Sequence, residues 1–479
     1  MRGARGRALA MLFGSALTGC SLAPHYERPS MPPPPPAYKE ASEWKVSAPA
    51  DTRAQGRWWT MFADSDLDAL EAQLSDGNQS LKASLARLEE ARAQTRIARS
   101  QWFPTLTAQA SATRGEASVY TPGYTPGKSR TGNTFVLSGD LSYEIDVFGR
   151  VQNTVAGARA NERATAGDAA ALDLSLHAEL ASDYFIVRGL DIEQRFLDQT
   201  VADYGRALAL TENLYQGGAA AISDVQQAEA QLETARTQAE DTRLRRAQTE
   251  HAIAVLVGQE ASSFSLSARA EDIFPTLPMI EAGLPSDLLE RRPDVAAAER
   301  RVAAANAGIG VARAAYFPVF DLFGTAGSQS TSTADWLTAP SRFWSLGPQA
   351  VLTLFNGGLH AAQSAAAHAS YDEQVANYRN TVLTAYQDVE DNLAAIRQLQ
   401  RESVSQAAAV KATQGALDQA NLRYKGGIVT YLEVVSTQNA ALAARLTAVD
   451  IDIRRATAAV QLVRALGGDW NQSAVSYLR

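Results

Sequence analysis

A single cysteine, Cys20, in 479 residues excludes any internal disulfide. Histidine is almost as scarce. His25, His177, His251, His360 and His368 are scattered, and the spacing of the last two fits no common ligand pair on a helix. HExxH, phosphate-loop and GxSxG patterns are missing, so the usual signatures of metal-dependent, nucleotide-dependent and serine-nucleophile enzymes are excluded. We expect packed or solvated histidines, no catalytic residues, no metal and no cofactor. There is no basic stripe, and the net charge is -8 with both signs interspersed, which excludes a nucleic-acid footprint. Proline is absent from residues 150–214 and 357–423, two stretches dense in alanine.

Arg2, Arg5 and Arg7 precede a short apolar run, residues 8–17, too short to span a bilayer as a helix. Leu17-Thr18-Gly19-Cys20 follows and resembles the bacterial lipoprotein processing box, in which the cysteine thiol is acylated. Residues 1–19 are thus expected to be a lipoprotein signal peptide, with a covalent lipid on Cys20. Several acyl chains, at ~0.8 kcal/mol per buried methylene, give a stable membrane anchor. Ser21, next in line, favours outer over inner membrane in such lipoproteins. Residues 20–60 read as a lipidated tether. The proline run 32–36 can enter neither a helix nor a sheet interior, while Trp44, Trp58 and Trp59 ask for packing against the body.

The chain repeats itself. Ala98-Arg99-Ser100-Gln101-Trp102-Phe103-Pro104 matches Ala312-Arg313-Ala314-Ala315-Tyr316-Phe317-Pro318. Leu214-Tyr215-Gln216-Gly217-Gly218 matches Arg423-Tyr424-Lys425-Gly426-Gly427, and Asp224-Val225 matches Glu433-Val434 at the same offset. Matching landmarks in matching order predict two duplicated units, 61–272 and 285–479, joined by a linker at 273–284. Each holds a leading helix, two strands around a Gly/Pro/Ser-rich loop, and a long helical hairpin. The strands are expected at about 103–115 and 133–147, then about 317–329 and 342–356. The hairpins turn at 216–220 and 425–429, on Gly217, Gly218, Gly426 and Gly427.

Between 135 and 146 Phe135, Leu137, Leu141, Tyr143 and Ile145 share one strand face, with Ser138, Asp140, Ser142, Glu144 and Asp146 on the other. Such alternation fits a membrane barrel with a wet interior, and equally a half-buried strand of a soluble sheet. Pro348 predicts an edge, a bulge or a strand end in the last strand. In the second long helix Val375, Val382, Val389 and Ile396 recur every seven residues, as do Tyr378, Ala385, Asn392 and Leu399. These form a heptad seam for knobs-into-holes packing. Four strands cannot close a barrel, because an open edge cannot face lipid. Two copies of the chain would supply eight strands; three would supply twelve and leave room for a lumen.

Leu289-Glu290-Arg291-Arg292-Pro293-Asp294-Val295, Tyr316-Phe317-Pro318, Leu346-Gly347-Pro348 and Tyr424-Lys425-Gly426-Gly427 carry a resemblance to a known family. So does the segment from Tyr143-Glu144-Ile145-Asp146 to Val147-Phe148-Gly149-Arg150. The chain resembles the TolC-like outer-membrane factors, in their NodT-type lipoprotein branch. The resemblance implies a homotrimer with a shared twelve-stranded barrel, continued by an α-helical coiled-coil tunnel in the periplasm of a Gram-negative bacterium. It implies a passive exit duct for drugs and other small molecules, held in outer-membrane lipid and docked on a periplasmic adaptor protein and an inner-membrane pump. A type I protein-secretion channel and a lipid-anchored coiled-coil spacer without a pore are the alternatives.

The family's periplasmic gate carries over to Tyr424 and to Glu433, with Ser436 and Asn439 where relatives place charged gate residues. The expected gate rests on Tyr424, Glu433 and packing near Ser436, with Asp224 and Gln227 from the first repeat, and lacks a strong salt link. A carboxylate at position 433 is also favoured simply by a helix N-terminus. Asp140, Glu144 and Asp146 are expected to face the lumen.

Overall fold

The computed structural model describes residues 21–31, 38–41, 57–116, 118–120, 131–269, 274–275, 277–278 and 292–468. The signal peptide, Cys20, Trp44, the proline run, most of the 273–284 linker and Leu289-Glu290-Arg291 lie outside them. Two helices, α1 (Ser65–Gly77) and α2 (Gln79–Ser100), lead into β1 (Thr105–Glu116) and β2 (Thr131–Ile145). The long α3 (Arg150–Gln216) and α4 (Ile222–Leu256) complete the first repeat. The second repeats the order: α5 (Pro293–Ala314), β3 (Val319–Ser330), β4 (Arg342–Val351), α6 (Leu359–Lys425) and α7 (Tyr431–Ala465).

The described chain divides into two units. The first joins Met1–Ser30, Arg87–Thr165 and Ala297–Tyr378, and contains an antiparallel sheet in the order β1-β2-β3-β4. Local chemistry sets the strand ends. Pro104 has no N–H to give a ladder, and β1 starts after it. β2 stops at Ile145 because Asp146 turns to the next helix, accepting the Val151 and Gln152 N–H groups at 3.1 and 2.7 Å. β4 ends at Val351, short of the expected 356, ahead of a turn in which Gly357 and Gly358 take φ of 61° and 90°. Pro348 sits within β4, opposite Leu322, on an edge strand of this sheet, where a missing donor is tolerated.

Part of the tether packs on this unit. Ser21 donates its hydroxyl proton to Asn153 at 2.9 Å, Tyr26 bonds Glu299, and the Asn306 amide donates to the Pro24 carbonyl at 2.9 Å. Arg28 Nε donates to the Tyr378 hydroxyl at 2.9 Å.

The second unit joins Met31–Ala86, Ala166–Ala296 and Arg379–Arg479. Its core is aromatic around Tyr184 and Phe185, both fully buried, with Trp58, Trp59 and Phe62 also buried. Asp64 caps α1 and accepts two bonds from Arg269 at 2.7 and 2.8 Å and one from the Tyr184 hydroxyl at 2.8 Å. Burial would raise the Asp64 carboxyl, but Arg269 and Tyr184 outweigh it and hold it below the usual range. Along α6, Val382, Ala385, Val389 and Leu399 of the heptad seam are buried. Leu399 packs against Ile451 and Ala458 of α7.

Candidate channel surface and hairpin tips

Directly opposed residues of antiparallel strands share a face, so the register extends each strand's alternation across the sheet. Leu106 faces Leu141, which faces Gly324, which faces Leu346. Ile145, Phe320 and Ala350 continue that face, as do Tyr143 and Leu322. Leu106, Trp344 and Leu346 are 74%, 79% and 63% exposed. The opposite face is polar: Thr107, Asp140, Thr325 and Ser345 form one row, and Glu144, Asp321 and Gln349 another. The sheet is therefore mainly apolar on one side and mainly polar on the other, with Phe323, Phe343 and Val351 interrupting the polar side and Ser328 and Arg342 the apolar side.

The three expected lumen acids differ in their engagements. Asp140 accepts from Ser138 at 3.0 Å. Glu144 opposes Asp321, a like-charge pairing relieved by Arg150, which donates to Glu144 at 2.8 and 2.5 Å. Asp146 lies beyond the strand as a helix cap, and its carboxylate is satisfied by backbone N–H groups. That corrects the strand reading: alternation ran one residue too far, because a cap and a strand carboxylate look alike in sequence.

Each long hairpin turns on the same device. Gly218 and Gly427 take φ of 70° and 69°, a conformation that side chains disfavour. The N–H groups of Gly218 and Ala219 close on the carbonyls of Tyr215 and Leu214 at 2.9 and 2.8 Å. In the second repeat the N–H groups of Gly427 and Ile428 close on Tyr424 and Arg423, both at 2.9 Å. This is the Schellman cap, present twice at equivalent positions. Gly217 and Gly426 precede the left-handed residue in each.

At the second tip Tyr424 packs beside Tyr431, with ring centroids 5.5 Å apart. Tyr431, Val434 and Val435 form a cluster with Ala420 of α6 and Ala228 of α4, against which Tyr424 rests. Burial, then the nearby Tyr424, pushes the Tyr431 phenol up to about 12, so it stays neutral. Asp224 lies one turn before Ala228, and its carboxylate accepts the Ala221 N–H at 3.4 Å. Gln227 is half-buried, whereas Ser436 is exposed. Glu433 accepts from Arg423 at 2.7 Å, joining the two arms of the hairpin. Sequence reasoning missed Arg423 and looked for the linking cation after Glu433, at Asn439. The partner lies ten residues earlier, across the turn, and only the hairpin register reveals it. Between α3 and the α6–α7 hairpin lies a cleft of about 500 Å³, lined in part by Tyr204, Tyr424, Tyr431 and Gln438.

No helix among the described residues is long and apolar enough to cross a membrane, and no cluster of potential metal ligands occurs among them. Similarity to known proteins is extensive. The family model described as "Outer membrane efflux protein" matches residues 71–259 and 284–468, one stretch per repeat. Outer membrane protein OprJ of Pseudomonas aeruginosa is 33% identical over 97% of this chain and 96% of its own. Cation efflux system protein CusC of Escherichia coli is 30% identical over 95% of this chain and 97% of its own. A membrane protein of Pseudomonas aeruginosa superposes with a TM-score of 0.86 at 33% identity, covering 94% of this chain and 98% of that one. The outer-membrane channel OprN superposes with a TM-score of 0.87 at 28% identity, covering 94% of this chain and 99% of that one. The register that separates an apolar from a polar sheet face, the twin hairpins and these full-length matches agree, and the chain belongs to the outer membrane efflux protein family.

Proposed function

We propose that this chain is the outer-membrane exit duct of a tripartite efflux system and works as a homotrimer. The observation that carries the reading is the four-stranded sheet, mainly apolar on one face and mainly polar on the other, with β1 and β4 at its edges. A lipid-immersed edge leaves backbone groups unpaired at several kcal/mol each, so β4 of one copy must pair with β1 of the next. Three copies give twelve strands and a polar-lined lumen. The helical hairpins continue the conduit into the periplasm, where an adaptor protein and an inner-membrane pump engage it.

The duct performs no bond chemistry, and the pump supplies the energy. Relatives of 30–31% identity are named for cations, toluene, solvents and antibiotics, so cargo selection belongs elsewhere than the duct. A lipid on Cys20 anchors the tether in the same membrane. Detergent-extracted protein should have the mass of three chains, and each denatured chain should exceed its polypeptide mass by an acyl modification at Cys20. A one-chain particle would overturn the shared barrel; an unmodified thiol would overturn the anchor alone.

The gate lies at the second hairpin, where the Arg423–Glu433 pair and the Tyr424–Tyr431 contact stiffen the tip, and the neighbouring cleft gives it room to move. Ser436, Asp224 and Gln227 flank it. The two ion-paired side chains are 50% and 41% exposed, and exposed pairs contribute ~0.2–1 kcal/mol. Glu433→Ala should therefore raise the open fraction in bilayer recordings by a factor of roughly 1.4–5. An unchanged open fraction would remove this pair from the gate.

A further inference from the structure

Outside the duct and its gate, three arginines converge in the first unit. Arg99, Arg159, Arg163 and the carboxylate of Glu162 line a cleft of about 300 Å³ between α2 and α3. The guanidinium of Arg159 stacks 5.2 Å from the Trp102 ring, and its Nε is shielded from solvent with no hydrogen-bond partner. Excess positive charge, a shielded unpaired donor and an open cleft describe an anion site.

The side of the chain on which the cleft opens follows from the helix period. Arg150 points to the polar face of the sheet, where it holds Glu144. Arg159 comes nine residues later on the same helix, and at 3.6 residues per turn that is two and a half turns. It therefore lies on the opposite side, that of the apolar sheet face. Trp102 and Phe103, 39% and 69% exposed, stand just before β1, where an aromatic girdle meets the bilayer interface. Helical side chains lean toward the N-terminus, so Arg159 and Arg163 lean along α3 toward β2 and the membrane.

The geometry points to a binding site for the phosphate group of a phospholipid in the periplasmic leaflet, one per protomer, formed by Arg99, Arg159 and Arg163 beneath Trp102. Arginine suits the role because its planar fork of donors matches phosphate oxygens. The site would fix the depth and rotation of the barrel in the membrane. It rests on the outer-membrane reading above, but it can fail separately.

Native mass spectrometry of the full chain, titrated with dioleoyl-phosphatidylglycerol in mixed micelles, tests it. Arg159→Gln/Arg163→Gln should weaken lipid binding at least tenfold, and the exposed single change Arg163→Gln should weaken it less. Arg206→Gln/Arg236→Gln, at ion pairs elsewhere, should leave it unchanged. Wild-type lipid binding in the Arg159/Arg163 double variant, in protein that still conducts, would overturn the site. Millimolar inorganic phosphate displacing the lipid one for one would overturn the lipid as occupant. A particle that never inserts would instead overturn the outer-membrane reading.

Discussion

Leu346→Arg is expected to abolish assembly of the channel, whereas Ser345→Arg, one residue away, leaves it assembled. Leu346 stands mid-strand in β4 on the apolar face, 63% exposed within one chain and opposite Gly324. Arginine on the lipid face near mid-bilayer costs about 2–4 kcal/mol in a β-barrel. That is roughly 30- to 700-fold in the insertion equilibrium per chain at 1.4 kcal/mol per factor of ten, and a trimer carries three. Ser345 faces the polar side, opposite Thr325, where the new guanidinium meets water and nearby carboxylates. Heat-modifiable migration on a gel reads the outcome directly. Equal assembly of the two variants would mean that the alternation does not separate lipid from lumen.

The second large effect lies within the second unit, at a buried ion pair. Glu71 on α1 and His177 on α3 are 2.5 Å apart, with side chains 0% and 5% exposed. Trp59 stacks on the imidazole at 4.4 Å, and Asp173 approaches its other nitrogen at 3.5 Å. Breaking such a pair strands a buried partner and costs about 3–5 kcal/mol. Glu71→Ala should accordingly lower the apparent melting point of the helical unit by circular dichroism; an unchanged midpoint would show that the pair is not structural.

The same pair fixes a pH dependence. Burial raises the Glu71 carboxyl to about 7, against the pull of His177. Burial alone would lower His177, but Asp173 and Glu71 outweigh it and raise the imidazole to about 9. Both folded-state values lie above the unfolded ones, so the folded state holds protons more tightly. The resulting stabilisation is complete below the ordinary carboxylate pKa, and it is lost as pH rises through about 7 and then about 9. A Glu71→Gln/His177→Gln double variant should flatten that alkaline decline.

Features with a short period were legible in the sequence. Alternation in residues 135–145 assigned both faces of β2, and paired Gly-Gly steps located both hairpin turns. Features joining distant residues were not. Nothing local distinguishes His177 from His251, yet one is buried against a carboxylate 106 positions away and the other is exposed. Arg423 was hidden because its pairing depends on the hairpin register, and Asp146 was misplaced because a capping carboxylate continues the strand pattern by one residue. The cleft of Arg99 and Arg159 needed the fold to bring α2 beside α3.

The measurement closest to the central claim is the reversal potential of single channels formed by the purified full chain in planar bilayers under a salt gradient. Asp140, Glu144 and Asp321 all lie on the polar face, Arg150 offsets one of these three charges, and three-fold repetition leaves rings of net negative charge. Discrete, cation-preferring conductance steps are expected. Anion preference would contradict the acidic lining, and no conductance from protein that has inserted would contradict the duct itself.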